Sequence, residues 1–184
     1  MLEGEKKKKN SPVVDELKQQ FNQCLAFLQK YSLKTEDVEK QLNSMGDFRV
    51  TTPIIGGFST GKSSMINAVL GVKLLRTEIT PETAVAAEIC HGNNKVMLWE
   101  SGASRTISVE EYQNSELDAE KTEFVQIQLE NNFLQQVPDV MMVDMPGFDS
   151  GIELHNKAID AYLPRSLAYI LTFSADEPVV KESI

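Results

Sequence analysis

Residues 56–64 read Gly-Gly-Phe-Ser-Thr-Gly-Lys-Ser-Ser, and no other stretch restricts the fold of this chain as strongly. Gly56, four intervening residues, then Gly61, Lys62 and Ser63 can curl their backbone N–H groups around phosphate oxygens at a helix N-terminus. That arrangement requires a strand before the loop and a helix after it. Both signals are present: Phe48 to Ile55 is β-rich, and Lys62 to Leu70 is apolar at helical spacing and stops at Gly71. Glycine lets the backbone approach a ligand closely. Lys62 then reaches the β- and γ-phosphates as a point charge, and the Ser63 hydroxyl is suited to Mg²⁺. Gly57, Phe58, Ser59, Thr60 and Ser64 complete the expected nucleotide-binding stretch.

After Gly46 short β-rich runs alternate with helical ones, the pattern of an α/β fold with a mixed, largely parallel sheet. Thr83 to Cys90, Val96 to Trp99 and Phe124 to Leu129 read as edge or antiparallel strands. Val140 to Val143 reads as a short apolar strand, Leu154 to Leu163 as a helix, and Leu167 to Phe173 as another buried strand. Three segments follow: a basic, disordered tail over residues 1–10, a helical hairpin over 11–46, and a partial nucleotide-binding domain over 47–184. In the hairpin, Ser11 and Pro12 start a helix whose stripe is Val14, Leu17, Phe21, Cys24, Leu28 and Tyr31. Thr35 caps a second helix carrying Val38, Leu42 and Met45, closed by Gly46.

Asp144-Met145-Pro146-Gly147 follows the strand at Val140, and the carboxyl ends of strands are where α/β sheets bind ligand. The Asp144 carboxylate is placed to hold Mg²⁺ through water, and the Gly147 amide to sense a γ-phosphate. Between the two motifs, residues 79–89 run Ile-Thr-Pro-Glu-Thr-Ala-Val-Ala-Ala-Glu-Ile. Thr83 is the candidate there for a hydroxyl on Mg²⁺ and an amide on the γ-phosphate, with Thr80 as its competitor. Metal ligation is thus expected from Ser63, Thr83 and Asp144, and catalysis from Ser59, Lys62 and Thr83.

Composition narrows the rest. With 18 basic and 27 acidic side chains the net charge is -9, which disfavours DNA or RNA over the surface as a whole. No apolar run exceeds five residues, Leu167 to Leu171 among them, against roughly 20 for a membrane span. Cys24 and Cys90 have no metal-ligand spacing and read as reduced thiols of a cytoplasmic protein. His91 and His155 read as surface residues, Arg76 as solvated in preference to a charge-stabilising finger, and Trp99 as core.

The loop at 56–64, the stretch Pro81-Glu82-Thr83-Ala84-Val85 and Asp144-Met145-Pro146-Gly147 together resemble the dynamin-like large GTPases, particularly bacterial members. The resemblance implies a Mg²⁺-dependent GTP hydrolase that cycles between GTP and GDP, self-associates through its GTPase domain, and contacts membranes peripherally while remodelling them. It also implies that Ser59 helps hold a monovalent cation, K⁺ or Na⁺, or otherwise compensates charge on the phosphates. Two positions depart from pattern: Phe58 stands where dynamins proper carry glutamine, and Phe148 stands after Gly147 where small signalling GTPases carry one. Neither Asn94-Lys95-Val96-Met97 nor Asn156-Lys157-Ala158-Ile159 supplies the aspartate of a guanine-reading Asn/Thr-Lys-x-Asp motif. Ten residues follow Ser174, fewer than a crossover to a further parallel strand needs, so the domain reads as incomplete. Two rival readings stand beside this one. An Era-like GTPase of ribosome or RNA assembly would suit Gly61-Lys62-Ser63-Ser64 with Asn67-Ala68 and Leu70-Gly71, and a truncated fragment would bind nucleotide without hydrolysing it.

Overall fold

The structure, a computed structural model, describes residues 12–45, 49–77, 85–115, 117–118, 121–147 and 153–175. They fall into two compact units divided between Arg49 and Val50.

The first unit is a pair of helices, α1 (Pro12–Lys30) and α2 (Glu36–Ser44), packed on each other. Proline at the first position costs α1 nothing, since that N–H has no intrahelical acceptor. The helix ends in a Schellman turn: Ser32 takes a left-handed φ of 53°, its N–H donates to Gln29 O, and Leu33 N–H donates to Leu28 O at 2.9 Å. Thr35 occupies the N-cap position of α2, but its side chain makes no capping bond because its backbone is already helical (φ -118°, ψ -12°). The C-cap is Met45, and Gly46 lies outside the described residues. Within the expected stripe Val14 is buried and Phe21 and Leu28 are half-buried, whereas Leu17, Cys24 and Tyr31 are exposed.

The second unit is a seven-stranded mixed sheet in the order β4-β3-β5-β2-β6-β1-β7. Its strands are β1 (Val50–Gly56), β2 (Ala86–His91), β3 (Lys95–Glu100), β4 (Ala103–Ser108), β5 (Thr122–Leu129), β6 (Val140–Asp144) and β7 (Ile170–Thr172). The junctions β6–β1, β1–β7 and β2–β5 are parallel, while β2–β6, β3–β5 and β3–β4 are antiparallel. On one face lie α3 (Lys62–Leu70) and α5 (Asn132–Gln136), whose Ile66, Leu70 and Leu134 join Ile54, Ala87, Ile89, Val125, Ile127 and Met142 in the larger core. On the other, α6 (Glu153–Tyr162) brings Tyr162 onto Ala86, Val143 and Met145. Helices on both faces explain why β1 is buried almost throughout.

Several expectations are corrected. The strand expected from Thr83 begins at Ala86 among the described residues, and it is interior to the sheet, parallel to β5 and antiparallel to β6, so it is no edge. Leu167 to Phe173 shrinks to the three residues of β7, which among the described residues pairs only with β1. Leu167 is 70% and Leu171 61% exposed, so among the described residues this is an edge and not a buried strand. The helix expected to Leu163 stops at Tyr162 and tightens into a 3₁₀ turn at Leu163–Arg165, where Pro164 fits the first turn. Trp99 is only half-buried: Val96 and Leu98 take the core face of β3, and Trp99 alternates to the opposite face, stacked on Phe124 at 5.3 Å.

Three elements carry no counterpart in the sequence reading: β4, α4 (Val109–Asn114) and α5. β4 is almost wholly exposed, so apolar alternation is missing from it. Its turn, Ser101-Gly102 with both φ positive at 50° and 78°, is the two-residue type that suits a twisted hairpin. Ser108 and Asn131 supply the N-caps of α4 and α5 by accepting from Glu111 N–H at 3.0 Å and Phe133 N–H at 2.9 Å.

Candidate functional site

β1 and β6 are parallel neighbours with Ile54 opposite Asp144, so both strands end on one side of the sheet. The loop leaving β1 and the aspartate closing β6 therefore meet without any long side chain having to reach. Ser63, in the first turn of α3, donates from Oγ to Asp144 Oδ2 at 2.6 Å. The other carboxylate oxygen, Oδ1, is buried without a hydrogen-bond partner.

The loop is shaped by its backbone. Ser59 and Gly61 take left-handed φ values of 58° and 83°, and Gly61 leads directly into the first turn of α3. Such a conformation is unfavourable for serine, which marks the loop as held in place by its surroundings. Gly56 has a reason to be glycine that the sequence reading did not contain: a Cβ there would lie 2.0 Å from Thr172 Oγ1 and 2.6 Å from Thr60 Oγ1. Those two hydroxyls bond each other at 2.8 Å, and Thr60 Oγ1 also donates to Gly57 O, so β7 buttresses the loop through Thr172. A Cβ on Gly147 would meet the Phe58 backbone at 2.9 Å. Gly57 has room for one, with 3.5 Å to Thr60.

Lys62 is buried, and its Nζ donates to the carbonyls of Gly56 at 3.1 Å and Gly57 at 2.8 Å. Burial lowers its pKa, an effect partly offset by the negative charge of Asp144. Asp144 is pushed up to about 6, chiefly by burial, against the Ser63 hydrogen bond and the Lys62 charge that favour its ionised form. Both shifts describe charges held in place with less solvation than they need. A phosphate beside Lys62 and a cation beside Asp144 would each supply what is missing.

These residues open onto a cavity of about 250 Å³. Phe58, Ser59, Thr60, Gly61, Lys62, Ser63, Ser64, Asp144 and Gly147 all line it. Thr83 and Thr80 lie outside the described residues, as does Phe148. The sequence reading missed the far wall, which includes Tyr112, Leu117 and Val125. Tyr112 comes from α4, and burial together with the Asp144 charge pushes its hydroxyl up to about 12, partly countered by Arg76. Arg76 is exposed but not simply solvated: its guanidinium donates to the carbonyls of Gln113 and Ser115 at the end of α4. Asn67 fixes the preceding segment, accepting from Leu74 and Leu75 N–H through Oδ1 and donating from Nδ2 to Leu75 O at 2.7 Å. The Asn67 signal was legible only as a polar residue inside an apolar helix.

Two oxygen donors of different kinds, a hydroxyl and a carboxylate with one oxygen unpartnered, are the hard-ligand set that Mg²⁺ takes beside substrate phosphates, so Ser63 and Asp144 fit that ion. Among the described residues there is no cluster of three or more His, Cys, Asp or Glu side chains able to hold a metal by themselves.

Comparison with known proteins gives the same neighbourhood. The model of the Dynamin family matches residues 53–184. An uncharacterized protein in the xynA 3′ region of Caldicellulosiruptor sp. (strain Rt8B.4) is 29% identical over 136 residues, 70% of this chain and 33% of that protein. A probable transmembrane GTPase, FZO-like and chloroplastic, of Arabidopsis thaliana is 21% identical over 185 aligned residues, 96% of this chain and 18% of that one. Among solved structures, chains of an oligomerised bacterial dynamin pair, described as a mechanism for long-range sensing and tethering of membranes, superpose with TM-scores of 0.55 and 0.54 at 16% and 17% identity. They cover 86% and 89% of this chain, which spans about a third of theirs.

Proposed function

The chain belongs to the dynamin family, and from that premise we propose that it is the nucleotide-handling part of a protein that binds GTP and hydrolyses it to GDP. The observation that carries this reading is the meeting of Ser63 and Asp144 at 2.6 Å beside the buried Lys62, inside the family-matched span.

In this reading the inward-facing amides of residues 56–63 bind the α- and β-phosphate oxygens, and the N-terminus of α3 adds its partial positive charge. Lys62 exchanges its two loop carbonyls for β- and γ-phosphate oxygens, which turns neutral acceptors into charged ones. Ser63 and Asp144 would hold Mg²⁺, which would supply positive charge to neutralise the negative charge developing on the phosphates. The Gly147 amide and Thr83 orient the γ-phosphate side. Ser59 stands at the loop's exposed rim, where a K⁺ or Na⁺ ion held near it would offset charge on the phosphates. Phe58 cannot order water by hydrogen bonding, so catalysis would lean on Thr83, a bound cation or a second subunit.

Self-association through this domain, and action on a membrane by a peripheral attachment, are proposed from the family and from the oligomerised, membrane-tethering neighbours. No helix among the described residues is long and apolar enough to cross a membrane. The deciding experiment is isothermal titration of the full-length protein with non-hydrolysable GTP and ATP analogues in Mg²⁺. GTP should bind in preference to ATP, and Lys62→Ala should weaken binding by about 10- to 100-fold, the worth of one or two charge-assisted hydrogen bonds. Equal affinity of wild type and Lys62→Ala would remove the phosphate-cradle assignment.

A further inference from the structure

Glu88 is a buried carboxylate outside the cavity just described. It stands in the middle of β2 on the face turned toward α6, while its neighbours Ala87 and Ile89 face the core on the α3 side. Its Oε1 accepts from the Tyr162 hydroxyl at 2.8 Å, and its Oε2 from Gln126 Nε2 at 3.0 Å. Arg165 closes the group: its guanidinium lies 3.6 Å from Glu88 Oε1 and 4.0 Å over the Tyr162 ring. The charge is therefore paired and its lone pairs engaged, as a buried ion requires.

The elements joined in this way determine what the group does. β2 continues from residues 78–85, which hold Thr83, and β2 puts Ala87 opposite Asp144. Tyr162 and Arg165 lie at the end of α6 and in the 3₁₀ turn after it, on the stretch of chain that follows Asp144-Met145-Pro146-Gly147. One side chain thus ties the strand after the first candidate γ-phosphate-sensing segment to the helix after the second. Nothing in the core demands a charge there: Ala86, Val143 and Met145 beside Tyr162 would pack as well against an apolar residue, without the desolvation that a carboxylate undergoes.

We propose that Glu88 is a positioning residue for hydrolysis, clamping α6 through Tyr162 and Arg165 so that the two γ-phosphate-sensing segments share one fixed frame. The inference rests on the GTPase reading above. Phosphoryl transfer depends on placement more than on covalent chemistry, and a misplacement of about 1 Å can cost on the order of 100-fold in rate. Nucleotide affinity resides in the loop at 56–63 and should be indifferent to the clamp.

The test uses the full-length protein and compares wild type with Tyr162→Phe, Glu88→Gln, their double variant and the surface variant Arg165→Ala. Single-turnover and steady-state GTP hydrolysis are measured at a temperature where melting curves show each variant folded. Expected are a fall of about tenfold in the rate for Tyr162→Phe and Glu88→Gln, a smaller fall for Arg165→Ala, unchanged KM and GTP affinity, and a double variant no slower than the slower single. A lowered melting temperature with wild-type rates would leave Glu88 a purely structural residue and overturn the proposal, as would additive losses in the double variant. If both buried variants fail to fold, Arg165→Ala decides alone, and a wild-type rate overturns the clamp. A wild-type protein inert toward GTP sinks the GTPase reading with it, whereas an active wild type with unaffected variants sinks the clamp only.

Discussion

The Ser63 hydroxyl and the Asp144 carboxylate, 81 positions apart in sequence, are joined by a hydrogen bond of 2.6 Å. Their closeness follows from the parallel pairing of β1 with β6, which sets Ile54 opposite Asp144.

Asp144 should cost the nucleotide-free protein stability near neutral pH. Its pKa of about 6 lies above the value of about 4 expected in the unfolded chain, so the folded state binds more protons between the two. Stability should therefore be greatest below pH 4, as far as this group is concerned, and decline as pH rises through 6. With chelator present, Asp144→Asn should remove that decline and stabilise the protein at pH 7 to 8 by on the order of 1 to 3 kcal/mol. Urea unfolding across the pH range reads this directly, and the same variant should lose Mg²⁺-dependent nucleotide binding.

Gly147→Ala should act on the loop at 56–61 from outside it. The added methyl meets Phe58 N and Cα at 2.9 Å and Gly57 C at 3.3 Å, all backbone atoms that no rotamer change can move aside. Overpacking of this kind costs about 1 to 3 kcal/mol. GTP affinity should fall by about tenfold or more, and titration calorimetry giving wild-type affinity would show that the loop yields freely.

Thr83→Ala should keep most of its nucleotide affinity and lose hydrolysis, because Lys62 and the loop amides remain in place. Single-turnover kinetics separates the two steps. Should Thr80→Ala show that behaviour in place of Thr83→Ala, the roles of these two threonines are exchanged.

Hydrolysis by the full-length protein should respond to the identity of the monovalent cation at fixed Mg²⁺ and ionic strength, K⁺ or Na⁺ supporting rates that a bulky organic cation does not. Identical rates in all three would leave Ser59 with only its structural part, a left-handed residue at a turn.

The turn at 56–61 and α3 are legible because their boundaries are local. Gly61 and Gly71 sit at left-handed positions, with φ of 83° and 69°, at the two ends of the helix, and the strand before the loop is marked by β-branched residues. Register is not local, because it is set by partners far away in sequence. Nothing near Glu88 in sequence announces Tyr162, which lies 74 positions away, and nothing near Gly56 announces Thr172. Leu167 to Phe173 reads as buried because it is apolar, yet burial depends on having neighbours on both sides, and among the described residues β7 has one. Polar β4 failed in the opposite direction: its exposed side chains hide a strand whose place is set by its pairing with β3.

The alternation along β2 gives the chain's length an arithmetic of its own. Ala87 and Ile89 point one way, Ala86 and Glu88 the other. Residues added before Ala86 leave that parity untouched. A single residue added or lost between Ala86 and Glu88 reverses it, turning the carboxylate of Glu88 toward the cavity that Ala87 now lines. The negative charge would then stand against a triphosphate, and Tyr162 and Arg165 would face a small apolar side chain. Kindred sequences should therefore vary in length one residue at a time before this strand, and within it only in steps that preserve evenness.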